Sequence, residues 1–200
     1  GTGAVTSTSA AGAQGLDILR TAWQNYNAAV ESARLAMEAT PRFRDNPDER
    51  AEAYQSLSEA QAMAYNFAVA QRLDHPVINT RTWYHNVHTL GGTSSDLYHV
   101  SALVDGRHTY RLHGNIGDMK VFVMQIFNTV LGGKGQKQML NADLAKMADA
   151  NGNFEVILSA EKREGNWLPL DATTGVNLLF VRRFHDDWLG DRGTLVIELL

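Results

Sequence analysis

Seven histidines and no cysteine set the chemistry open to this chain. Without a thiol there is no disulfide, no thiolate metal site and no cysteine nucleophile. The densest group of reactive side chains is Trp83-Tyr84-His85-Asn86-Val87-His88. On a helix, the spacing of His85 and His88 turns both rings to one side, and imidazole is a common metal ligand. A metal would need a third ligand from His99, Asp96, His113 or His185, and no HExxH pattern is present. Neither a metal nor a cofactor is therefore expected. His85 or His88 is expected to move a proton, with Trp83 and Tyr84 walling in an apolar or aromatic substrate.

A second group follows at Arg107, Thr109, Arg111 and His113, which alternate along one face of a predicted strand. Two readings stay open. The ladder is the solvated face of a hairpin, or it lines a wet pocket for a carboxylate or phosphate. On the second reading Arg111 holds a developing negative charge and His113 joins the catalytic histidines. Asp96 and Tyr98 then complete the substrate side with Trp83 and Tyr84. Arg163, Arg182 and Arg183 are further cations available to an anion pocket. His185-Asp186-Asp187-Trp188 sets two carboxylates beside an imidazole, but consecutive strand residues point to opposite faces, so a turn anchored by the indole is the plainer expectation. Trp167, within Asn166-Trp167-Leu168-Pro169-Leu170, reads as a packing anchor or a ligand-stacking ring. Gly132-Gly133-Lys134-Gly135 lacks the spacing of a phosphate loop and reads as a connection.

The elements that must position these groups fall into two halves. Leu19, Trp23, Tyr26, Val30, Ala33 and Met37 recur at spacings of three and four, which predicts a helix over Leu16–Met37. Asn46-Pro47-Asp48-Glu49 opens a second helix, with Asn46 as cap and Glu49 closing a capping box. It runs to Leu73, ahead of His75-Pro76. Residues 1–14 are small and polar and read as a mobile tail. After Pro76 the pattern turns to strands: Leu97–Val104, Arg107–His113 across an Asp105-Gly106 hairpin turn, Met119–Val130, Phe154–Ser159 after Asn151-Gly152, Val176–Phe184 and Thr194–Leu199. Asn141 reads as the cap of a short helix through Met147. The expected fold is α+β: an N-terminal antiparallel helix pair (15–75) packed on an antiparallel β-sandwich or jelly-roll-like body (76–200), the two sharing one core. Residues 77–96 join the halves, and a site is expected there.

The chain has 200 residues, 44% of them apolar and 20% charged, as in an ordinary globular domain. A net charge of −4 and a pI near 6.0 argue against a general nucleic-acid partner. No apolar run reaches the ~18 residues of a membrane helix. The expectation is a cytoplasmic protein with a small-molecule ligand and no membrane partner.

Four stretches together resemble a bacterial family, domain of unknown function 1214. They are Asp48-Glu49-Arg50-Ala51-Glu52-Ala53-Tyr54; Gly91–Tyr98 with Asp105-Gly106 and Tyr110-Arg111-Leu112-His113-Gly114; Gly152–Ser159; and Gly165-Asn166-Trp167-Leu168-Pro169-Leu170 with Val181–Phe184 and Asp187-Trp188. Where that family typically reads Asn-Pro-Asp, this chain has Ser94-Ser95-Asp96. The resemblance implies a helical front and a β-sandwich. Many relatives continue into a further β region, which implies a second domain or a second copy as partner. It supplies no established reaction. From the residues themselves the expected activity is that of a cofactor-independent lyase, isomerase or hydratase. The alternative is a non-catalytic ligand-binding or protein-interaction domain.

Overall fold

Alanine-rich sequence with apolar residues three and four apart produces α1, Thr6–Glu38. This computed structural model describes residues 6–78 and 97–200, with side chains described from residue 14 onward except at 67 and 68. The helix takes in residues 6–14, which the sequence reads as a mobile tail; Ala10, Ala11 and Ala13 there are strong helix formers. Thr40 and Pro41 do more than break the helix. Thr40 caps α2 (Pro41–Asp45) by accepting the Phe43 N–H, and Pro41 occupies its first position. Asn46, the cap expected from sequence, instead donates from Nδ2 to the Arg42 carbonyl at 2.9 Å. Glu49 pairs with Arg42 and makes no capping box. A short 3₁₀ turn (Pro47–Glu49) leads into α3 (Arg50–Ala64), which continues as a π turn over Tyr65–Val69. Among the described residues no helix is long and apolar enough to cross a membrane.

The chain divides after Gln61 into two compact units. Among the described residues the second holds eight strands in two four-stranded sheets, so the class is α+β. They are β1 (Leu97–Val104), β2 (Tyr110–Asn115), β3 (Val121–Phe127), β4 (Gln138–Asp143), β5 (Asn153–Ser159), β6 (Trp167–Pro169), β7 (Asn177–Phe184) and β8 (Thr194–Leu199). The orders are β1-β7-β3-β4 and β6-β5-β2-β8. All pairings are antiparallel except β5 with β6. Val100, Ala102 and Val104 of β1, Phe122, Met124 and Ile126 of β3, and Leu179 and Val181 of β7 meet Tyr110, Leu112, Val156, Leu158 and Ile197 of the other sheet in one buried cluster. The apolar alternation of six strands is thus the inside of a sandwich. Leu103, Leu178 and Phe180 point the other way, against Met63, Leu73 and Phe127. With both faces covered, residues 178–181 of β7 read as an unbroken apolar run.

Asp105-Gly106 is not a hairpin turn. β1 pairs with β7 and β2 with β5 and β8, so this connection crosses from one sheet to the other. Three interactions hold the crossing. Arg107 grips the buried Asp105 carboxylate at 2.5 Å, the Tyr110 hydroxyl accepts the Asp105 N–H at 2.9 Å, and the same hydroxyl donates to the Leu73 carbonyl at 3.0 Å. A Cβ on Gly106 would lie 1.9 Å from the Asp171 carbonyl oxygen, so glycine is required here by close approach of two backbones. Two strands are missed by the sequence pattern. β4 occupies the region of the expected Asn141 cap, and Asp143 caps the following 3₁₀ turn by accepting the Ala145 N–H at 3.1 Å. β6 is three residues long, too short to show alternation.

Gly106→Ala should destabilise the sandwich by about 2–4 kcal/mol, the range of severe overpacking. Urea unfolding measures it; a midpoint equal to wild type would show that the crossing is not tightly packed.

Candidate functional site

Antiparallel register sets the geometry at one end of the first sheet. Arg183 of β7 lies opposite Tyr98 of β1 on one side and Phe122 of β3 on the other. It shares the face of Leu179 and Val181, so a guanidinium sits where the sandwich interior would take an apolar side chain. Its carbon lies 4.5 Å from the Tyr98 ring centroid and 5.8 Å from that of Phe122. Only 6% of Arg183 is exposed. Nη1 donates to the Arg192 carbonyl at 3.1 Å, and Nε has no hydrogen-bond partner among the described residues. Among the described residues no carboxylate pairs with it. Burial pulls its proton affinity down, Tyr98 opposes that in part, and Arg192 adds a smaller downward pull. Cation–π contact offsets part of the desolvation cost, but not the loss of a counter-ion.

His185 follows at the end of β7 and is also 6% exposed. Neither ring nitrogen has a hydrogen-bond partner among the described residues. The ring stacks on Trp188 at 4.8 Å and meets Tyr98 edge-on at 6.3 Å. Arg192 lies 5.6 Å from the Trp188 centroid. Burial, then Arg192 and Arg183, hold the imidazole below its ordinary affinity for a proton. The nearby carboxylates are engaged elsewhere. Asp187 accepts the Leu189 N–H, Asp118 accepts the Asp191 N–H, and Asp186 lies 3.7 Å from Lys120. Buried polar atoms without partners are rare and concentrate where a protein binds something. Here a buried cation and two ring nitrogens converge around Tyr98.

The alternating neighbour Arg182 points to the opposite face. Its Nε donates to His99 Nε2 at 3.3 Å, and its guanidinium covers the Phe180 ring at 5.2 Å. His99 is buried and stacks on Phe180 at 5.0 Å. Burial first, and Arg182 second, push its pKa down to about 4.

The structure separates residues that the sequence groups. Arg111 and His113 stand on the outward face of the second sheet, whereas Tyr98 lines the inward face of the first. Arg111 bonds Glu155 at 2.7 Å and Glu198 at 3.2 Å, and His113 lies 3.5 Å from the same Glu198. Arg111 and His113 are therefore not brought beside Tyr98: they share a ladder with Glu155 and Glu198, because the one-face-buried pattern of β2 turns Tyr110 and Leu112 inward. Arg107 leaves that ladder for Asp105. Trp83, Tyr84, His85, His88 and Asp96 lie outside the described residues. Among those described, no three histidine, aspartate or glutamate side chains gather as metal ligands. Trp167, half-buried, donates from Nε1 to Ser159 Oγ at 3.0 Å.

No family model matches the chain, and no curated protein matches it significantly. Among solved structures it is similar to an uncharacterised protein from Burkholderia cenocepacia, with a TM-score of 0.74 and 24% identity over 89% of this chain. The match covers 49% of that protein, so this chain spans about half its length. The likeness is one of fold.

His99 and His185 both have a lower proton affinity folded than the ordinary 6.5 of an unfolded histidine. The unfolded chain binds the extra protons, so stability is full above pH 6.5 and falls as pH drops toward about 4. Asp105, held down to about 2 by Arg107, adds a second loss as pH falls from 3.8 through that value. Urea midpoints between pH 7.5 and pH 4 should decline, and His99→Gln should flatten the slope. A level wild-type profile would contradict the buried, neutral state of these rings.

Proposed function

We propose that the protein is a non-catalytic binder of a small oxyanion, a carboxylate or a phosphate, anchored by Arg183 near the end of β7. One observation carries the reading: Arg183 is buried in the inner layer with no carboxylate beside it among the described residues. A permanent charge in that position is costly, and an arriving anion supplies what is missing. The guanidinium fork accepts a planar carboxylate or a phosphate through paired N–H bonds. His185, neutral near pH 7, offers one N–H donor from its ring. The acid–base reading has less support, since the Arg111 charge is already met by Glu155 and Glu198. Membership of the domain of unknown function 1214 family belongs to the same proposal; helices followed by a sandwich are the layout it implies.

Arg183→Met keeps the length and removes the charge. In the ligand-free protein this variant should be more stable than wild type by about 1–4 kcal/mol, as when unpaired buried charges are replaced by apolar side chains. Benzoate and inorganic phosphate are the probes. At about 100 times its dissociation constant, the favoured anion should stabilise wild type by about 2.7 kcal/mol, and Arg183→Met by nothing. Thermal unfolding reads both effects. A destabilised Arg183→Met protein that still responds to the anions as wild type does would overturn the reading.

A further inference from the structure

His185 offers the Arg183 site more than one neutral donor. Its Nδ1 and Nε2 are both buried without a hydrogen-bond partner among the described residues, as is Arg183 Nε. A neutral imidazole presents one N–H and one lone pair, whereas an oxyanion brings acceptors only. Imidazolium meets an anion with donors and with charge. The groups facing the ring come from three elements. Arg183 sits two positions back on β7, Arg192 stands ahead of β8, and both act on the ring as positive charges. Trp188 covers one ring face at 4.8 Å, and Tyr98 of β1 meets the ring edge-on at 6.3 Å. On the β3 side, the Lys120 N–H donates to the Phe184 carbonyl at 3.3 Å, and the Lys120 ammonium lies 3.7 Å from Asp186. Asp118, Asp187 and Asp191 each accept a backbone N–H. Among the described residues no carboxylate acts on the ring.

We propose that His185 takes up a proton as the anion binds, so that the Arg183 site captures an anion and a proton together. The proposal rests on Arg183 being an anion anchor. In the empty site the ring is buried beside two cations, which keeps it neutral. A bound oxyanion sets negative charge among these groups, offsets the repulsion from the arginines and favours the charged ring. Linkage makes the effect mutual: a proton on His185 raises the affinity for the anion by the factor by which the anion raises the affinity for the proton. In the free protein the ring charges only below the ordinary 6.5 of histidine, and in the complex it charges at higher pH. Anion affinity therefore rises as pH falls through neutrality, and levels off once the free ring is charged as well. Arg183 acting without His185 would give a flat profile, because arginine stays charged throughout that range.

Sulfate and benzoate keep a fixed charge between pH 6 and pH 8, so any pH dependence of their binding belongs to the protein. Calorimetric titration of the full chain should find the favoured anion bound about tenfold more tightly at pH 6 than at pH 8. Near pH 7, titrations in phosphate-free buffers of different ionisation heat should show net proton uptake, a readout that needs no variant. His185→Gln should bind the anion equally at both pH values and take up no proton. Equal wild-type affinity at pH 6 and pH 8, with no proton uptake, would overturn the coupling and leave Arg183 standing as an anion anchor. Coupling retained in His185→Gln would overturn its assignment to this ring. Failure of both anions to bind at either pH would overturn the anchor and the coupling together.

Discussion

The second unit rests on the closure of two apolar sheet faces on each other. Val100, Phe122, Ile126, Val156 and Leu158 exclude water between the sheets, and every other feature of the unit is arranged around that layer. Closure dictates the crossing at Asp105-Gly106, since β1 and β2 must sit in different sheets. It also fixes which residue of each consecutive pair is buried. Arg182 and Arg183 differ by one position, yet one covers Phe180 on the outer side and the other enters the inner layer between Tyr98 and Phe122.

Arg183 is informative because it breaks the rule that builds the layer. An apolar side chain there would complete the packing and add stability. The chain instead holds a guanidinium, flanks it with aromatic rings and turns the nearby aspartates toward backbone N–H groups. A stability cost without a structural return is the physical sign of a binding group. The outward ladder of Arg111, His113, Glu155 and Glu198 is the opposite case. There Arg111 meets Glu155 and Glu198 at the surface, pairs that contribute little to stability and leave that cation supplied with partners.

Much of the fold was legible in the residues. β1 and β8 match their apolar runs end to end, and the start of β5 follows from Asn151-Gly152, where Gly152 takes φ +81°. Pairing was not legible. Asp-Gly between two apolar runs is the ordinary signature of a hairpin, and only the distant partners β7, β5 and β8 show that the strands part. The capping box at Asn46 failed because Arg42 competes successfully for Glu49, an interaction between elements that local spacing does not encode. The alternation of β2 correctly grouped Arg111 with His113, but it could not say which face was wet. Arg183 was visible only as one of several cations. Its burial comes from register with Tyr98 and Phe122, residues 85 and 61 positions away in the chain.

The central claim is that the Arg183 guanidinium awaits an anion. Nitrogen-detected NMR of arginine side chains follows that group directly through an anion titration. The account predicts a protected Arg183 Nε–H resonance that shifts saturably with benzoate or phosphate while the Arg111 resonance stays in place. An Arg183 signal indifferent to both anions at saturation, with Arg111 or no arginine responding, would contradict it.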